Sequence, residues 1–165
     1  MSGNRRRSFE AGHRPKFLVV ADESAECARA IHFAARRAGR IGAGLTMLAV
    51  TEPGDFQHWL GVGDVMRAEA EEKAEALLER HASISRSVAG IEAERVVRTG
   101  IKAEEIRALI ESDADISFLV LGAGTSADGP GPLVSLLAGK QAGSFPVPVV
   151  IVPGGLTDAE IDALA

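Results

Sequence analysis

Five short apolar runs separated by stretches of helical periodicity constrain this 165-residue chain more than any other feature. Phe17 to Ala21 is continuously apolar and rich in β-branched residues, as a strand covered on both faces should be. Leu45 to Val50, Ile91 to Arg98, Ile116 to Leu121 and Val147 to Val152 read as the strands that follow. Charged residues interrupt the third run and Pro148 the fifth, so both belong nearer a sheet edge. After the first run, Ser24 N-caps a helix with apolar positions Cys27, Ala28, Ile31, Ala34, Ala35 and Ala38, and Gly39 is placed to stop it. Asp64 caps a second helix that turns Met66, Ala70, Ala74, Leu77 and Leu78 inward and fades near His81. A third helix runs from Ala103 to about Glu111 on Ile106, Leu109 and Ile110. Pro132 opens a short fourth bearing Leu133, Leu136 and Leu137. Strand and helix in alternation require parallel strands joined by right-handed crossovers, with helices on both faces: a doubly wound α/β domain.

The length suits one core, and 46% apolar against 25% charged residues excludes a disordered chain. No apolar run approaches the ~20 residues of a membrane-spanning helix. We divide the chain into a basic extension, residues 1–15, a domain at 16–153, and a tail at 154–165. Arg5 to Arg7 read as a solvated extension, and Thr157 to Glu160 as a capping box that starts a short helix or frays. A net charge of −5 gives no pull toward nucleic acid, and nothing points to a membrane. Cys27 is the sole cysteine, so no intramolecular disulfide forms; a cytoplasmic setting follows, with Cys27 a small core residue rather than a redox thiol. Phe56-Gln57-His58-Trp59 lies in a loop between Thr51 and Gly63, its aromatics expected to cover the sheet edge.

Catalytic signatures are missing. Gly122-Ala123-Gly124-Thr125-Ser126-Ala127 fits a short dinucleotide pattern, but Asp128-Gly129-Pro130-Gly131 interrupts the helix that must follow. No Gly-x-Ser-x-Gly elbow, Walker lysine or paired metal-histidine spacing occurs, so neither a catalytic residue nor a metal ligand is nominated.

Read together, two segments resemble the universal stress protein family. Phe17 to Ser24 is similar to that family's opening strand with its Asp-x-Ser turn. Val96 to Gly100, Ala103 to Ile106, Ala114-Asp115, Leu119 to Gly122 and Pro146 to Val152 fall in its order and spacing. The resemblance implies strand order 3-2-1-4-5, a homodimer through the fifth strand, and a crevice between strands one and four. Many members hold ATP there with the first-strand Asp, a backbone group ending strand two, and a loop written Gly-x-x-Gly, nine residues, then Gly-Ser or Gly-Thr.

Carried onto this chain, the resemblance nominates Ala21, Asp22, Ser24, Val50, Gly122, Gly124, Thr125 and Ser135 around an adenine nucleotide, ATP with magnesium or AMP. The loop departs from the pattern. Gly122 matches, but Thr125, Ser135 and Leu136 stand where Gly, Gly and Ser belong. A β-carbon there obstructs the presentation of amide N–H groups to phosphate, and Pro130 and Pro132 have none to offer. From Ala108 through Gly139 no Lys or Arg occurs. Asp22 and Ser24 have a second reading, as groups that only finish a helix start. The sequence therefore points to a dimeric stress-response or interaction module with weak or absent ATP binding and no dedicated catalytic base; the alternative is an ATP-binding, nucleotide-regulated member, hydrolysing slowly if at all.

Overall fold

The computed structural model describes residues 5–52 and 62–165. Its strands are β1 (Lys16–Val20), β2 (Gly44–Thr51), β3 (Glu94–Thr99), β4 (Ile116–Ala123) and β5 (Val149–Pro153), and its helices α1 (Ala25–Ile41), α2 (Val62–Ala89), α3 (Lys102–Ser112), α4 (Pro132–Ser135) and α5 (Asp158–Leu164). All strand pairs are parallel, in the order β3-β2-β1-β4-β5. Side chains alternate across each strand, so the sheet builds two cores. Phe17, Val19, Leu45, Met47 and Val120 meet α1 and α2 on one face, while Leu18, Val20, Leu48, Leu119 and Leu121 meet α3 and α4 on the other. Among the described residues, no helix is long and apolar enough to cross a membrane.

Several boundaries differ from the sequence reading, each for a packing reason. Gly39 lies inside α1, where a β-carbon would come within 3.1 Å of Ala89 Cβ; it lets α1 and α2 close on each other. The stop is Gly42, in the left-handed conformation at φ 73°. α2 does not fade at His81 but continues to Ala89, because the buried Ser85 hydroxyl donates to the Ile91 carbonyl and Gly90 (φ 65°) ends the helix. Asp64 lies in the first turn of α2 rather than capping it, and Met66 is exposed. β3 and β5 both start later than expected; Pro148 precedes β5, and its carbonyl accepts from Leu119 N at 3.0 Å. The Phe56 to Trp59 segment lies outside the described residues.

Both ends of the described chain are tied down. Arg6 is not merely solvated: its Nη1 donates to the carbonyls of Ile110 and Asp113, at 2.7 and 2.9 Å, satisfying acceptors that the end of α3 leaves open. Ser8 is buried and donates to the Asp115 carbonyl at 2.9 Å. At the other end, Thr157 accepts from Glu160 N, as a helix cap does, and α5 lies along α1. Arg29 pairs with Asp158, His32 and Arg36 meet Asp162 at 2.7 and 2.9 Å, and Arg40 donates to the Ala165 carbonyl.

Candidate functional site

In a parallel sheet every strand-to-helix turn falls at the carboxyl end of the strands, and ligands lodge where neighbouring turns diverge. Here β1 turns toward α1 and β4 toward α4, leaving a cavity of about 300 Å³. The carboxyl ends of four strands and the segments beyond them supply its wall: Asp22, Ser24, Glu26 and Cys27 after β1, Glu52 after β2, Ile101, Lys102 and Ala103 after β3, Gly122 near the end of β4 and Gly131 to Val134 beyond it. A more open hollow of about 540 Å³ lies alongside, lined by Gly124, Thr125, Ser126, Asp128, Gly129 and Ser135. Glu26, Gly131 and Pro132 belong to both.

The eight nominated residues thus divide. Asp22, Ser24 and Gly122 line the cavity, and Gly124, Thr125 and Ser135 the outer hollow. Ala21 is buried behind the wall with its amide bonded to the Leu48 carbonyl, and Val50 packs into the core under α3; neither lines a hollow. Glu52 carries the end of strand two to the cavity instead.

Asp22 is an organiser of its own turn. Its carboxylate accepts from the Ser24 amide at 2.8 Å and from the Ser24 hydroxyl. Ser24 occupies the N-cap position but makes no side-chain cap bond, since its hydroxyl is turned to Asp22. Behind them, His81 Nε2 lies 3.0 Å from the Asp22 carbonyl and 3.6 Å from Cys27 Sγ. A carbonyl only accepts, so Nε2 carries the proton in that bond and cannot take one from the thiol. Burial pushes the Cys27 thiol up to about 12. The pair is therefore packing, not a nucleophile with its base. Among the described residues no group of His, Cys, Asp and Glu is arranged to hold a metal.

The loop after β4 closes on itself. Gly124 N donates to the Pro130 carbonyl at 3.0 Å, Gly129 N to Ser126 O at 3.1 Å, Asp128 N to Ser126 Oγ at 3.3 Å and Ser135 N to Gly131 O at 3.0 Å. With Pro130 and Pro132 lacking an N–H, much of its amide inventory is committed within the loop. Charge adds to this, because Asp22, Glu26 and Glu52 face the cavity against Lys102 alone among its described lining. Lys102, Glu26 and Glu52 are the charged residues of this lining that sequence reasoning missed. A charge count along residues 108–139 could not see Lys102, yet its place just after β3 is the signal that would have found it.

These features define a doubly wound α/β protein with a ligand-sized crevice at the point where its connections diverge. The chain belongs to the universal stress protein family, whose sequence model matches residues 13–153. Solved structures agree on the fold. The universal stress protein UspA from Lactobacillus plantarum superposes with a TM-score of 0.70 at 19% identity, over 84% of this chain and 97% of that one. A universal stress protein in complex with cAMP gives 0.62 at 17%, over 86% and 98%. The universal stress protein from Archaeoglobus fulgidus in complex with dAMP gives 0.56 at 20%, over 84% and 96%. No curated protein matches significantly.

Proposed function

We propose that this chain is a stress-response interaction module, homodimeric through β5, whose crevice takes the adenosine end of an adenine nucleotide and binds ATP weakly. The carrying observation is the self-bonded loop. A phosphate needs several outward amides or cations, and here Gly124, Asp128 and Gly129 donate within the loop, while Ser135 donates to the Gly131 carbonyl as the helical bond of α4. The relatives solved with cAMP and dAMP hold adenine monophosphates, in keeping with a site that does not draw its energy from a triphosphate. Asp22, Ser24 and Gly122 shape the inner cavity, with Ile101, Leu133 and Leu136 supplying apolar surface for a base. The reading gives the protein no dedicated catalytic base.

The dimer rests on β5, an edge strand with Ile151 37% exposed. An open edge invites pairing with a second copy, and a two-fold axis sets the two strands antiparallel.

Lys102 favours a second reading, an ATP site assisted by magnesium, since it brings a cation to the cavity wall. Calorimetry with adenosine, AMP and ATP separates the two. The first reading expects ATP at about 100 μM or weaker, with AMP within roughly tenfold of it, because two lost charge-assisted contacts remove about a hundredfold. Low-micromolar ATP binding with AMP far weaker would falsify it in favour of the second.

A further inference from the structure

We infer that Glu26 sets the charge selectivity of this crevice, barring phosphoryl groups from the loop while leaving the inner cavity open to an uncharged group. The inference rests on the reading that the crevice takes an adenosine-like ligand. Glu26 lies in the first turn of α1 and, with Gly131 and Pro132, is common to the cavity and the outer hollow. Any ligand reaching from one to the other passes it.

Three glycines close around this residue. A β-carbon on Gly122 would lie 2.3 Å from the Glu26 carbonyl oxygen, one on Gly154 would lie 3.0 Å from Glu26 Cβ, and one on Gly124 3.1 Å from Glu26 Oε1. The first two contacts clamp the backbone and the base of the side chain between the ends of β4 and β5. The third puts the carboxylate against the loop itself. Among the described residues, no hydrogen bond or ion pair is made by that carboxylate; Lys102, the one cation in the cavity's described lining, is not paired with it. Asp22 differs, since its carboxylate is turned onto Ser24.

A phosphoryl group lodged beside Gly124 would meet a like charge at contact distance. In a partly desolvated site, such a pair at about 4 Å lowers affinity by tenfold or more. Adenosine carries no charge and is not subject to that penalty. The same position in the first turn suits Glu26 to the amino end of α1, which explains why the fold accepts an acid there.

The test measures adenosine, ATP and inorganic tripolyphosphate by calorimetry on the full chain and on Glu26→Gln and Glu26→Ala, with thermal melts to verify folding. The first variant removes charge at nearly constant shape; the second also removes the bulk. Both should raise the ratio of ATP to adenosine affinity about tenfold and tighten tripolyphosphate by at least about tenfold. On the unmodified chain, raising salt from about 50 to about 500 mM should leave ATP binding unweakened, since screening relieves repulsion, whereas an ordinary phosphate site loses affinity. An unchanged ATP-to-adenosine ratio in both variants, or tripolyphosphate that binds neither, overturns the role of Glu26. Absence of adenosine binding in all three proteins overturns the adenosine reading instead, and the tripolyphosphate comparison then still decides on Glu26.

Discussion

Replacing Gly122 by alanine tests what this glycine does for the fold. The new β-carbon would sit 2.3 Å from the Glu26 carbonyl oxygen and 2.7 Å from its carbonyl carbon. Ordinary contact needs about 3.5 Å, so β4 and the first turn of α1 must part by roughly 1 Å. Both clashing atoms are backbone, and no rotamer change relieves them. The cost falls at the upper end of overpacking, about 3 kcal/mol. For a chain of this length that lowers the melting temperature by about 6 to 12 °C. Gly143 provides the control, as a β-carbon there meets nothing within 4 Å and its φ is not positive; Gly143→Ala should change stability by under about 0.5 kcal/mol. Thermal and urea unfolding followed by circular dichroism, without nucleotide and at one protein concentration, give the comparison. If Gly122→Ala melts within about 2 °C of Gly143→Ala, the close approach of β4 and α1 is not what requires glycine here.

Three further outcomes follow from the same structure. Cys27, its thiol pushed up to about 12 by burial from an ordinary 9.0, should react with a thiol reagent at least about a hundredfold more slowly in the native protein than in urea; native reactivity equal to that of the unfolded chain sinks the core assignment. Because its folded value is raised, the stability it contributes is complete below pH 9.0 and is lost as pH climbs toward about 12. Asp162 lies below its ordinary 3.8 because His32 and then Arg36 donate to it, so α5 docking is at full strength above that pH and weakens as pH falls through the lowered value. Amide exchange across α5 should report that acid-side loosening, and Asp162→Asn should abolish its pH dependence. For the dimer, Ile151→Lys places a charge on the exposed flank of the open edge, and sedimentation at micromolar protein should shift toward one-chain mass; Val150 is unsuitable because it packs against the α1 core.

The fold was legible because continuous apolar runs admit few other arrangements, and the strand order arrived through the resemblance rather than through periodicity. What misled was residue type standing in for environment. Gly39 reads as a stop, but its lack of a β-carbon serves the contact with Ala89, and the true stop is Gly42. His81 reads as the fading of a helix, yet it and Ser85 are buried because the carbonyls of Asp22 and Ile91 lie in reach. Such partners come from other elements and leave no local trace. The crevice was half legible: Asp22 and Ser24 in the turn after β1 and Gly122 near the end of β4 lie on the side of the sheet that topology dictates. Lys102 and Glu52 obey the same rule, since all strand-to-helix turns share one end of the sheet. Reading charge along the chain instead of around that end concealed them. Glu26 drew no reading from the sequence, and only the closure of Gly122, Gly124 and Gly154 around it shows its place.

Which loop positions kept glycine follows packing. Gly122 is demanded by the α1 contact whether or not phosphate ever binds, and it matches the family's loop. Thr125 and Ser135 are exposed, so nothing in the core resists substitution there. Leu136 does work in the fold, packing against the core between the sheet and α3, and Leu136→Ser would cost about 2 kcal/mol. Rebuilding a phosphate loop should therefore start with Thr125→Gly and Ser135→Gly, which free the backbone without touching the core. By themselves these changes should improve ATP affinity by less than about threefold, because the Glu26 carboxylate still faces the loop and the loop's own hydrogen bonds persist. Added to Glu26→Gln, the same pair should bring about a further tenfold, a coupling between loop and carboxylate that a double-mutant cycle on ATP binding measures. Low-micromolar ATP binding from the two glycines alone would mean that the side chains at 125 and 135, rather than charge and committed amides, had closed this site.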